Sequence, residues 1–149
     1  MESIEFTTRV LGPLSATRLE QYQVTQTLRS PSDTVSKAFL GGRLKIGDQI
    51  RIILDRRMIG MAYLYFVDMI DWQGLDENDA RRGGFDTKED LLSALQRAGY
   101  RFLPMEIYRF YRIQFTWLKA DEAEGYSSLS AVKIYFPRNT NEERVYASG

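Results

Sequence analysis

Neither cysteine nor histidine occurs in the sequence. The first absence excludes disulfides, thiolate metal sites and a cysteine nucleophile together, and makes the chain indifferent to redox compartment. The second removes the commonest general base and the commonest transition-metal ligand. Any catalysis falls to carboxylates, Lys, Tyr, Ser or Thr, and no metal or cofactor is expected. A long apolar run is lacking as well. The most apolar stretch, Met58 to Ile70, is bounded by Arg57 and Asp71 and contains Asp68, well short of the roughly 20 residues of a membrane span. Residues Met1-Glu2-Ser3-Ile4-Glu5 carry acid where a secretory signal carries positive charge, so a cytoplasmic protein with no membrane partner is expected.

An excess of one charge sign is also missing: 20 basic and 20 acidic side chains cancel, which argues against a protein that coats nucleic acid through bulk charge. The charge is nevertheless segregated. Residues 29–57 hold seven basic and three acidic groups and residues 97–119 five and one, whereas residues 66–90 hold eight acidic and three basic. Ordinary surface variation and a basic face built from the two positive blocks both fit this pattern.

With 149 residues, one core is expected across the whole chain, 1–149. Ile4, Phe6, Thr8 and Val10 alternate with polar neighbours as in a half-buried strand ended by Gly12-Pro13. Ile50, Ile52 and Leu54 repeat the pattern after the turn Lys45-Ile46-Gly47-Asp48, and Asp55-Arg56-Arg57 connects to a second strand over Met58–Ile70, apolar on both faces and expected to be central. Asp76 to Ala80 suits a short helix stopped by Gly83-Gly84. A second helix is expected behind an Asp86/Glu89 capping box, with Leu91, Leu92, Leu95 and Ala98 as its apolar stripe. Met105 to Leu118 reads as a long strand with Arg109 interrupting its apolar face, and Leu129 to Phe136 as another, with a loop over Asp121–Ser130 and a polar tail. These elements predict a mainly β, α+β domain: a small mixed barrel with short helices packed against it.

Three segments resemble, in order, the ASCH family of the PUA-like superfamily. Val24-Thr25-Gln26-Thr27-Leu28-Arg29 is similar to the family's early Gly-x-Lys-Thr-x-Thr-x-Arg signature at the mouth of a cleft beside the barrel. Lys45-Ile46-Gly47-Asp48-Gln49-Ile50-Arg51-Ile52 is similar to its Gly-Asp entering a strand. The run from Asp79 to Leu92 resembles its Asp-Ala-x-x-Glu-Gly-Phe followed by a capped helix, with Ile107-Tyr108-Arg109-Phe110 where the closing strand runs. The resemblance covers roughly residues 10–118 and implies a PUA-like barrel that binds RNA, other single-stranded nucleic acid or a nucleotide. Some family members are hydrolases, either amidohydrolases on acetylated cytidine or ribonucleases. Here the amidohydrolase Lys and Glu positions are Val24 and Gly83, which can neither activate a nucleophile nor move a proton, so binding is expected ahead of catalysis.

Thr25, Thr27 and Arg29 are spaced by two and share one face of an extended chain, presenting hydroxyls and a planar guanidinium to a phosphate or base edge, or forming a plain strand edge. Arg109, set between Ile107 and Tyr111, calls for a partner: an acid of the 66–90 block or a bound anion. Tyr108 joins Tyr22, Tyr100 and Tyr111 as candidates for stacking on bases. Lys45, Arg51, Arg56 and Arg57 either track a phosphate backbone or solubilise a hairpin. The acids Asp76, Glu77 and Asp79 suit a helix start better than a magnesium site. A hydrolase or a protein–protein adaptor on the same fold is the alternative to a nucleic-acid binder.

Overall fold

A computed structural model describes residues 1–118. Strand β1, Ser3–Phe6, buries Ile4 and Phe6. It is shorter than the alternation implies, because the Thr7 side chain accepts a hydrogen bond from the Val10 N–H and starts helix α1, Thr8–Leu11. Thr8 and Val10 are therefore helical. Gly12, at φ 85°, turns the chain straight into α2, Pro13–Glu20, with Pro13 at a first-turn position that needs no N–H. Strand β2, Gln26–Arg29, follows, then α3, Thr34–Leu40, capped by Asp33.

Strands β3, Gln49–Leu54, and β4, Arg57–Asp71, form a hairpin whose turn residues Asp55 and Arg56 both have positive φ, 50° and 67°. Tight hairpins favour that backbone because it matches strand twist, although Gly occupies it at lower cost. Beyond β4 come α4, Glu77–Arg82, α5, Lys88–Arg97, and β5, Arg109–Trp117. The strand order is β1-β3-β4-β5-β2, with β1 parallel to β3 and every other pairing antiparallel. This is the expected α+β architecture with a central β4. The two strands at opposite ends of that order nevertheless meet, since the Arg29 guanidinium on β2 donates to the Glu5 carbonyl on β1 at 2.6 Å. The sheet is therefore curled into a half-barrel whose edges face each other across a seam.

Four local expectations need correction. Central β4 is not covered on both sides along its length: Phe66 and Met69 are exposed, and a register shift between Leu64 and Phe66 breaks the ladder. Helix α5 is capped by Thr87, whose hydroxyl accepts from the Asp90 N–H, while Asp86 pairs with Arg18 at 2.9 Å. Its buried stripe is Leu91, Ala94 and Leu95, and Ala98 lies exposed at its end. Strand β5 begins at Arg109 because its partner runs out there. Asp71, the last residue of β4, is opposite Arg109, and the chain then enters a 3-10 turn at Trp72–Gly74, leaving Met105 and Ile107 exposed. The expected strand at Leu129–Phe136 and loop at Asp121–Ser130 lie outside the described residues.

Candidate functional site

Strand β2 decides the site. It pairs in register with β5, Gln26 opposite Gln114 and Thr27 opposite Ile113. Thr27 and Arg29 border a cavity of about 240 Å³ at the seam. Both edge strands line it, β1 through Glu5 and Phe6 and β2 through Gln26 to Arg29, and α5 and Tyr100 close it on the helical side.

Arg29 crosses the seam. Its Nε donates to the Thr27 hydroxyl at 2.9 Å, Nη2 donates to the Glu5 carbonyl, and Nη1 lies 3.5 Å from the Asp33 carboxylate. The guanidinium carbon sits 5.0 Å from the centre of the Phe6 ring, a cation–π arrangement. Burial pulls its pKa below the ordinary arginine value, with Asp33 opposing the shift, and an arginine remains cationic at neutral pH. A guanidinium has five N–H groups, so these three contacts leave donors for a further acceptor.

A second polar constellation adjoins this one and reaches the same cavity through Gln26 and Asp79. Asp79, 1% exposed, accepts at Oδ1 from Gln26 Nε2 (3.0 Å), Arg82 Nη2 (2.8 Å) and Arg112 Nη1 (3.1 Å), and at Oδ2 from the Asp76 N–H (3.0 Å). Gln26 Oε1 in turn accepts from Arg82 Nε and Gln114 Nε2. Arg112 is forked onto Asp68 at 2.8 and 2.6 Å. Burial alone would raise the Asp79 carboxyl, but the hydrogen bonds from Gln26, the Asp76 N–H and Arg112 outweigh it and hold it below the ordinary range. The Asp68 hydrogen bonds hold Arg112 above its ordinary value. Buried and held charged by four donors, this carboxylate is committed to the network around it.

Of the residues singled out from sequence, the structure brings Thr27, Arg29, Asp79 and Tyr100 to the cavity. Thr25 precedes β2 and is held through its backbone, its N–H donating to Arg82 and its carbonyl accepting from Phe115. Lys45, Arg51 and Arg57 are exposed and do not border the cavity; Arg51 donates to the Met1 carbonyl and Arg57 pairs with Glu20 at 2.7 Å. Tyr108 packs edge-on against Tyr100 and Phe102. The apolar setting expected for Arg109 is a correction: it is exposed at the end of the ladder, without an ion pair among the described residues. Its expected link to the 66–90 acids belongs to Arg112, three residues on, which holds both Asp68 and Asp79. Asp76 and Asp79 form a reciprocal capping box.

Sequence reasoning missed Phe6, Gln26 and Arg112. Gln26 lies inside the Thr25–Arg29 signature and Arg112 is a second arginine on β5, so both were visible as residues, but neither signals its partner from sequence alone. The two departures from the amidohydrolase pattern are packed in place. Val24 is fully buried, with its carbonyl accepting from the Trp117 indole at 2.7 Å, and a Cβ on Gly83 would meet the Phe85 ring at 3.1 Å. Among the described residues no cluster of three or more acids is placed to hold a metal ion, and no helix is long and apolar enough to cross a membrane.

No protein-family model matches the chain, and no curated protein matches it. Among solved structures, the crystal structure of protein EF3133 from Enterococcus faecalis V583, of the DUF984 family, is similar over 74% of each chain, with 17% sequence identity and a TM-score of 0.45. Likeness at that level extends to neither a ligand nor an activity.

Proposed function

We propose that this chain is a PUA-like domain of the ASCH type that holds RNA, or a nucleotide drawn from it, in the seam cavity, with Thr27 and Arg29 as its polar contacts. The observation that carries the reading is that Arg29, with unused donors, and the Thr27 hydroxyl border the same cavity as the Phe6 and Tyr100 rings. A guanidinium beside aromatic walls suits a flat, hydrogen-bonding base and its phosphate. At about 240 Å³ the cavity lies below the roughly 300–1,000 Å³ of drug-sized sites, so it takes one base or sugar rather than a stretch of strand. Lys45 and Arg109 are among the exposed cations without ion pairs among the described residues and so are available to phosphates outside it. Catalysis is the weaker reading, because Val24 and Gly83 stand at the family's chemical positions and the Asp79 carboxylate is held charged by four donors.

Incubation with end-labelled single-stranded RNA, with and without magnesium, tests this. Retained, intact RNA is expected. Cleavage would make the protein a hydrolase, and RNA that is neither retained nor cleaved would overturn the reading in favour of an adaptor.

A further inference from the structure

The described residues hold three places where chemistry and geometry coincide outside the ordinary core: the seam, the shallow groove between α1, α2 and α5, and the exposed apolar loop Leu103–Ile107. In the groove Ser15, Arg9 and Arg97 already donate to backbone carbonyls and Asp86 pairs with Arg18, and nothing indicates what covers the loop. The seam goes further.

Strand β1 has four residues and one ladder partner, β3. Its carbonyls at Glu2 and Phe6 accept from β3 and the following turn, at Arg51 and Asp55. By strand alternation, the Glu5 carbonyl points the other way, to the free edge. No strand completes the barrel there among the described residues. A side chain does so instead: Arg29 reaches from β2, caps that free-edge carbonyl at 2.6 Å and lays its guanidinium over Phe6 of the same strand. It is itself steadied by Thr27 on its own strand and by Asp33, the residue that caps α3. One guanidinium thus links two sheet edges and a helix start.

We infer that Arg29 is a clasp on the seam: it holds β1 against β2 through the Glu5 carbonyl, and a ligand that engages the remaining donors of the guanidinium bears on that same hold, so filling the cavity and ordering the β1 edge are coupled. The coupling rests on the binding reading above, whereas the clasp itself does not. Thr27 and Asp33 keep the guanidinium at the seam, so an acceptor on the ligand takes a remaining donor of the same planar group that holds the Glu5 carbonyl. A charge-assisted hydrogen bond of this kind corresponds to roughly tenfold in a local opening equilibrium.

Hydrogen–deuterium exchange on the full chain decides it, comparing wild type, Arg29→Lys and Arg29→Ala without ligand and then with uridine 5′-monophosphate and a short oligouridine. Arg29→Ala is expected to raise exchange in residues 3–7 roughly tenfold while β3, β4 and β5 keep their protection. Arg29→Lys, able to reach a single acceptor, is expected to fall between. Unchanged protection of residues 3–7 in Arg29→Ala overturns the clasp, and so does an equal loss across the whole chain, which would make Arg29 a global stabiliser. In wild type, bound probe is expected to change exchange in residues 3–7. Binding without that change overturns the coupling and leaves the binding reading standing. Absence of binding overturns the coupling together with the reading it rests on, the clasp being decided by the ligand-free comparison.

Discussion

Two polar constellations meet on the four residues of β2, and they differ in one respect. In one, Gln26 joins Asp79, Arg82, Arg112, Gln114 and Asp68 in a network where the Asp79 carboxylate accepts four hydrogen bonds. At the seam, Thr27 and Arg29 border a cavity, and the guanidinium keeps donors unused. A buried polar network with every group satisfied fixes structure, because any further partner would have to break a bond already made. A cation with capacity left beside a cavity is where a ligand gains most. Charge alone does not separate the two; the count of satisfied donors and acceptors does.

The comparison breaks most sharply at Asp79. Asp79→Ala leaves Arg112, Arg82 and Gln26 facing a buried gap and is expected to cost about 3 kcal/mol or more in urea unfolding. A loss below about 1 kcal/mol would show that the network is not what holds α4 to the sheet. Its pH dependence follows from the lowered carboxyl. The stability this group contributes is fully present above the ordinary aspartate value of about 3.9 and is lost as pH falls through its lower folded value. Asp79→Asn is therefore expected to be less stable at pH 6 and to flatten the decline below about pH 4, and an unaltered acid limb would contradict this.

Next in size is Arg29. Removal of a forked contact is expected to weaken nucleotide binding by about 1–3 kcal/mol, with Arg29→Lys nearly as impaired as Arg29→Ala because an ammonium lacks the planar pair of donors. Titration of the same nucleotide against both variants, beside their melts, measures it. Full affinity in Arg29→Lys would reduce the role of the guanidinium to simple charge.

The exposed cations should matter less. Lys45→Ala, Arg51→Ala and Arg57→Ala are expected to leave mononucleotide affinity within about twofold, since none borders the cavity and exposed charges contribute little on their own. For a longer single strand, log affinity against log salt is expected to slope at about −2 to −3, at roughly −0.7 per phosphate contact. A slope near zero would remove phosphates from the account.

The smallest effect lies away from both regions. Arg56→Gly relieves a left-handed, non-glycine turn position and is expected to stabilise the protein by about 1 kcal/mol, read as a rise in melting temperature. A fall would show that the Arg56 side chain stabilises the hairpin.

Period-two patterns made β3 and most of β5 legible, because alternation in a half-buried strand is dictated by one dry face, and β4 was legible as a run apolar on both faces. The pattern misled where a local bond overrode it. Thr7 ended β1 by capping a helix, and β5 lost its first residues because β4 supplied no partner beyond Asp71. Asp86 gave way to Thr87 as a cap because Arg18 holds it. For the site, the spacing of Thr27 and Arg29 placed them on one face of an extended chain, and the structure sets them on one cavity. What spacing does not carry is distance between elements remote in the chain. That Arg112 rather than Arg109 meets the acids, and that Phe6 lies under Arg29, depends on how the half-barrel curls.

The central claim is that the seam cavity is where the ligand sits, and Ala98→Trp tests it most directly. Ala98 borders the cavity yet is exposed at the end of α5, so a large ring there blocks the cavity without entering the core. Affinity for single-stranded RNA and for a mononucleotide, measured by equilibrium titration beside the thermal melt, is expected to fall at least about tenfold with the melt unchanged. Wild-type affinity in the folded Ala98→Trp protein would place the ligand elsewhere and contradict the account.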